Sequence, residues 1–362
     1  MKKKLLIIAG ILAVVAVGFF ALRPAQESND PRPVVKIGAT LPLSGNLAPV
    51  GNAIKEAMLM ARDEIPANSK YRYEIIIEDN LFEMRNVATD AHRLINMKNA
   101  DVLISMFDGA SVVIPIAEKA KVPHIGCTWG AKSFKDFQYS FNHWARPETQ
   151  ANAVVDLLKS KQINKIAAIG SQYGAAQEMI STIEKMAKHS GIEFTSVYYI
   201  NNGTRDFAAE IEKIRMQKPD IILLQAMEPE LSIFAKQAAE KNLNIPYTSV
   251  DKFVGAMNKE LFNGSDFVLS PIGSDEFTAQ MAKRTNLLVD ECTANLYDAV
   301  KILVSVYESA DHKLTGEELK DRLYQIKDYP SALGVRINVD EDGIIDAPLI
   351  RARIENGQVV RE

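Results

Sequence analysis

Histidine, cysteine and close-set carboxylates are the side chains from which most catalytic and metal centres are built, and in this chain they are scattered. The five histidines, His92, His124, His143, His189 and His312, never stand at the i, i+4 spacing of a helical zinc pair, and no Cys-x-x-Cys occurs. His92 and His189 fall in polar helices and read as solvated, and His124 begins a strand; His143, beside Trp144, is the hardest to dismiss. Cys127, at a strand end, would need a neighbouring base to act as a nucleophile, and no histidine is placed to serve. Cys127 and Cys292 lie in different kinds of segment, so two separate buried thiols are expected, with pairing as the alternative.

Glycine loops that hold phosphate are missing as well. Gly45 and Gly51 are followed by Asn52-Ala53 where a phosphate loop needs Lys-Ser/Thr, and the G-x-G-x-x-G spacing is absent. IGSQYG, which ends at Gly174, lacks the G-x-S-x-G of a nucleophile elbow. A formal charge of −4 without a basic run beyond Lys2 to Lys4 argues against nucleic acid as a partner. These residues favour binding over catalysis, with no cofactor and no metal expected.

The polar and aromatic groups that remain are positioned by an alternating pattern. VVKIGATL (34–41), YRYEIIIED (71–79), DVLISMF (101–107) and VPHIGCT (122–128) read as strands separated by helices over 52–64, 84–98 and 111–120. Ile54, Ala57, Met58 and Ala61 share one helical face. The order recurs with KIAAIGS (165–171), EFTSVYYI (193–200), PDIILLQAM (219–227) and IPYTSVD (245–251), separated by helices near 175–189, 206–217 and 229–241. Strand–helix alternation of this kind predicts an α/β fold of two similar open units with parallel sheets. Helices follow over 277–310, and VRINVDEDG with LIRARIENGQVV reads as two strands around the DEDG turn. Ligands bind beyond the carboxyl ends of such strands, which selects the loops LSG, EDN, FDG, CTWG, SQYG, NNGTRD, QAMEPE and SVD.

Ahead of this body, KKK precedes 18 uncharged residues from Leu5 to Leu22. This is an export signal, read either as a cleaved signal peptide or as an N-terminal membrane anchor, and residues 23–33 read as a tether. The body should therefore lie in the periplasm or otherwise outside the cytoplasm.

VKIGATLPLSGNLAPVGNAIKEAMLMARDEI resembles the opening of the type I periplasmic binding proteins of the leucine/isoleucine/valine-binding family. GTRDFAAEIEKIRMQKPDIILL, CTANLYDAVKIL and GVRINVDEDG are similar to later parts of the same family, so the likeness spans about residues 34–355. The resemblance implies two Rossmann-like lobes joined by three hinge crossings, near 143–146, 269–273 and 334–338. Lobe I would comprise 34–144 and 273–335, and lobe II 145–272 and 336–362. It implies capture of a small solute for the permease of an ABC importer. Carried over by position, it implies a ligand site of Ser44, Gly45, Thr128, Trp129, Tyr173, Met227, Glu228 and Asp251. Thr128-Trp129 would face a ligand carboxylate and Asp251 a ligand ammonium.

The FDG loop departs from the pattern, placing Asp108, or Phe107 if the register slips by one, where carboxylate-binding relatives usually have a serine. An ionised aspartate there would repel a ligand carboxylate. Either it turns away, or the ligand presents amine, amide or hydroxyl donors, with Trp129 and Tyr173 adding aromatic faces. Competing structural roles stand beside these assignments: Trp129 and Tyr173 as seam cover, Glu228 and Asp108 as helix caps. Two other readings are an anchored sensor that signals to a partner and an enzyme on the same scaffold.

Overall fold

The computed structural model describes residues 30–129, 134 and 136–362. The apolar run 5–22, most of the tether and Gly130 of the CTWG loop lie outside the described residues. Among the described residues no helix is long and apolar enough to cross a membrane. The architecture below belongs to the unit Val34–Glu362.

The first lobe alternates β1 (Val34–Leu41), α1 (Ala48–Asp63), β2 (Arg72–Asp79), α2 (Met84–Asn96), β3 (Val102–Met106), α3 (Asp108–Ala120), β4 (His124–Cys127) and β5 (Ser140–Asn142). Its strands make one parallel sheet in the order β2-β1-β3-β4-β5. Helices cover both faces, which is why β1 and β3 are nearly continuous apolar runs with Ile37, Leu41, Val102 and Ile104 fully buried. The face of α1 carrying Ile54, Ala57, Met58 and Ala61 is fully buried against them. The helix starts four residues before the expected 52, because Pro49 in its first turn has the φ a helix needs. A Cβ on Gly51 would lie 2.1 Å from the Pro42 carbonyl oxygen, so only glycine lets this turn press onto the exit of β1. His124 is core: its Nε2 lies 2.8 Å from Ser105 Oγ, and burial pushes its pKa down to about 3.

The second lobe runs α4 (Pro147–Ser160), β6 (Lys165–Ser171), α5 (Gly174–His189), β7 (Glu193–Ile200), α6 (Ala208–Gln217), β8 (Ile221–Gln225), α7 (Glu230–Glu240), β9 (Tyr247–Thr248) and β10 (Asp266–Leu269). Its parallel sheet is ordered β7-β6-β8-β9, and a bridge from Val250 to Val268 leads on to β10. The chain then gives α8 (Asp275–Arg284), α9 (Thr293–Glu308), α10 (Gly316–Tyr324), β11 (Tyr329–Pro330), β12 (Arg336–Val339), β13 (Ile345–Asp346), β14 (Ile350–Glu355) and β15 (Gln358–Arg361). Phe277, Ala299, Leu303 and Leu319 return to the core built on β1 and α1.

Three expectations are corrected. VRINV and LIRARI are not partners: β12 pairs β13 across the DEDG turn, while β14 pairs β10 and β15. The dipeptide Asn356-Gly357, with φ of 49° and 71°, closes its own two-residue hairpin and takes β14 away from β12. Residues 336–347 also do not leave the first lobe, since Ile337, Val339, Ile345 and Ala347 sit in its core and Leu349 is the first to pack in the second. The third passage therefore lies after Ala347 instead of at 334–338. Finally, Cys127 and Cys292 form a disulfide, with Cα atoms 5.7 Å apart across 165 residues of sequence. The end of β4 and the start of α9 meet only in three dimensions, so their different local settings gave no sign of it.

Candidate functional site

The carboxyl ends of the two parallel sheets meet at a cleft. Its larger cavity, about 190 Å³, is lined by Met227, Glu228, Asp251 and Lys252 of the second lobe and Asp290 and Glu291 of the first. Ala226, Leu231, Val254, Leu269 and Ile272 give it an apolar wall. A neighbouring pocket of about 20 Å³ shares Asp251 and Lys252 and adds Trp129, Gln150, Tyr173 and Gln225.

Trp129 is placed by aromatic packing. Its ring stacks on Phe107, with centroids 5.0 Å apart and planes 9° apart, and meets Trp144 edge-on at 6.2 Å. Phe107 reaches it from an unusual backbone, φ 48°, where β3 turns into α3. The disulfide holds Cys127, two residues before Trp129, against Cys292, which follows Glu291. One covalent link thus fixes both first-lobe edges of the cleft.

Lys252 faces them from the second lobe. Its ammonium lies 5.0 Å from the centroid of the Trp129 ring, within cation–π range. Burial disfavours its charge, but Tyr173, Glu291 and Asp251 outweigh burial and hold its pKa above the ordinary lysine value. Opposite it, burial pushes Glu291 up to about 8; Lys252 opposes this, and the charges of Asp251 and Asp290 add to it.

Asp251 lines both cavities, yet its carboxylate is largely occupied by protein donors. It accepts from the Ser270 N–H, from Ser270 Oγ at 2.9 Å and from Gln150 Nε2 at 3.4 Å. Ser270 directly follows β10 and Gln150 belongs to α4, so Asp251 ties the end of that strand to the helix. Burial raises its pKa, against the pull of the Ser270 N–H and of Lys252. Glu228 is similarly engaged: it accepts from Ser232 Oγ at 2.6 Å, the Ser232 N–H at 3.3 Å and the Met257 N–H at 2.8 Å.

The other expected residues divide. Tyr173 and Trp129 line the smaller pocket and Met227 the larger. Thr128 is buried behind Trp129, its N–H donating to Asn142 Oδ1 and its carbonyl accepting from Asn142 Nδ2, both at 3.0 Å. Ser44 and Gly45 line neither cavity; the Leu43 and Ser44 N–H groups donate to Asp79 Oδ1 at 2.9 and 3.2 Å, tying their loop to the end of β2. Asp108 is exposed in the first turn of α3, where the helix dipole favours a carboxylate, and it lines neither cavity. His143 is fully buried outside both cavities, its carbonyl accepting from Asn295 Nδ2 at 2.8 Å.

Sequence reasoning passed over Lys252, Gln150, Asp290 and Glu291. Lys252 adjoins Asp251 in a selected loop and was open to notice. Asp290 and Glu291 precede α9 in the returning segment, beyond the reach of any rule about strand ends.

Two lobes with parallel sheets around a polar, aromatic cleft define a periplasmic binding protein, and the profile of the family described as "Periplasmic binding protein" matches residues 34–358. The chain belongs to that family, and within it to the type I proteins of the leucine/isoleucine/valine-binding group. It is 22% identical over 341 residues to the Leu/Ile/Val-binding protein BraC3 of Rhizobium johnstonii, covering 85% of this chain and 88% of the relative. Its fold is similar to the leucine-binding protein LivK of Thermotoga maritima, with TM-score 0.76, 19% identity and coverage of 91% and 97%. It is also similar to an ABC-transporter solute-binding protein of Rhodopseudomonas palustris solved with 3,4-dihydroxybenzoic acid, with TM-score 0.77, 19% identity and coverage of 91% and 96%.

Proposed function

We propose that this protein captures a small polar solute outside the cytoplasm and delivers it to the permease of an ABC importer. The observation that carries the reading is the cleft itself. Trp129, Asp290 and Glu291 come from one lobe and Tyr173, Glu228 and Lys252 from the other, so a ligand among them contacts both. A solute that touches both lobes stabilises the closed arrangement by its differential affinity, and the permease has a ligand-dependent surface to recognise. The relatives fit a solute of this size, one being named for leucine, isoleucine and valine and another solved with an aromatic acid.

Calorimetric titration with amino acids and aromatic acids, paired with small-angle scattering, tests this. Binding should be saturable and should reduce the radius of gyration. Binding without compaction would refute the closure mechanism, and a solute recovered chemically altered would point to an enzyme instead.

A further inference from the structure

We infer that Lys252 anchors an anionic group of the solute, so that the ligand's negative charge rests on the second lobe. The inference depends on the cleft being the solute site and reverses the polarity expected from the resemblance, which put a carboxylate at Thr128-Trp129 and an ammonium at Asp251.

Three observations converge on it. Lys252 is the only cation among the described residues that line either cavity, and it lines both. It makes no ion pair among the described residues, because the nearest carboxylate in sequence, Asp251, is turned to Ser270 and Gln150. Among the described residues its ammonium meets the ring of Trp129, and a cation–π contact is weaker than a desolvated ion pair. Lys252 stays charged in the cleft, so a solute carboxylate reaching it gains a charge-assisted hydrogen bond in a partly desolvated site.

Among the described residues of the first lobe, the donors expected to hold an anion are already taken. The Thr128 N–H is held by Asn142 and the Ser44 N–H by Asp79, while Asp290 would repel a carboxylate and Glu291, kept protonated by burial, offers it no positive charge. The apolar wall of Leu231, Val254, Leu269 and Ile272 suits an aliphatic or aromatic body. The chemical class is thus a small carboxylate with an apolar body, its charge on Lys252 and any amine or hydroxyl toward Glu291.

Matched probes decide it. Wild type, Lys252→Gln, Lys252→Glu and Lys252→Arg are titrated with leucine, 4-methylpentanoate and isopentylamine, and with benzoate, benzamide and benzylamine. Wild type should bind carboxylates and discriminate against the amide and the amines. Lys252→Gln should weaken carboxylate binding about 30-fold or more, as when one partner of a desolvated charge pair is removed. Lys252→Glu should abolish it and Lys252→Arg should keep part of it, with thermal melts showing all variants folded. Preference for the amines, or a Lys252→Gln affinity within twofold of wild type, would overturn the inference and leave solute binding standing. Failure of every probe to bind wild type would count against the solute-binding reading and this inference together.

Discussion

Replacing Cys127 and Cys292 together by alanine tests how far one covalent link stabilises this chain. The disulfide spans 165 residues, a loop that contains all of β6 to β10. In the unfolded chain such a crosslink removes loop-closure entropy that grows with the logarithm of loop length. At this separation the chain-entropy relation gives about 5 kcal/mol at 25 °C. Both cysteines are buried, at 0% and 1% exposure, so alanine leaves little more than a small void in the native state. Guanidinium unfolding followed by tryptophan fluorescence reports on the right region, because Trp129 and Trp144 both pack in the first core. The variant should unfold at distinctly lower denaturant, with a free-energy loss near the calculated value. A loss below about 1 kcal/mol, with the wild-type bond intact, would refute the entropic argument. Two titratable thiols in the unreduced, unfolded wild type would refute the pairing itself.

Three other perturbations have defined outcomes. Glu291 keeps its proton up to about pH 8 in the folded state against an ordinary value of 4.5, so between those values only the unfolded chain loses a proton. Folding stability from this group therefore falls as pH rises through that window; Glu291→Gln should match wild type at pH 4 and exceed it at pH 9, by at most about 5 kcal/mol, in thermal and chemical melts. Asp251→Ala strands the buried Ser270 N–H, while Gln150 Nε2 keeps its bond to Ser270 Oγ, and should cost about 1–3 kcal/mol by chemical denaturation, whereas unchanged stability would show the tie to be idle. Gly51→Ala should lower the melting temperature, with a cost of about 1–3 kcal/mol, because the backbone carbonyl of Pro42 must move; an unchanged melt would mean the α1 start is free to shift.

Much of the fold was legible because its signals are local. Strands buried on both faces are continuous apolar runs, and VVKIGATL and KIAAIGS became β1 and β6 with those bounds. The errors lie where a local signal had to be weighed against a distant one. ENGQ carries the mark of a two-residue hairpin, yet VRINV and LIRARI both read as strands and DEDG between them offers a competing turn. Thr128 and Ser44 sit at strand ends as the resemblance implies, but hydrogen bonds to Asn142 and to Asp79 occupy their N–H groups. No pattern in the neighbouring residues announces those bonds.

What the sequence by itself determined is the class: an alternating α/β chain, without the spacings of a catalytic or metal centre, carrying the motifs of the leucine/isoleucine/valine-binding group. Periodicity and motif order survive in one dimension, since each depends on residues a few positions apart. Only the tertiary structure decided that Cys127 is bonded to Cys292, that Asp251 is held by Ser270 and Gln150, and that Lys252 faces Trp129 and Glu291 across the cleft. Those pairings join residues 19 to 165 positions apart, and a charge acquires its role from the partners and the solvent that folding leaves around it.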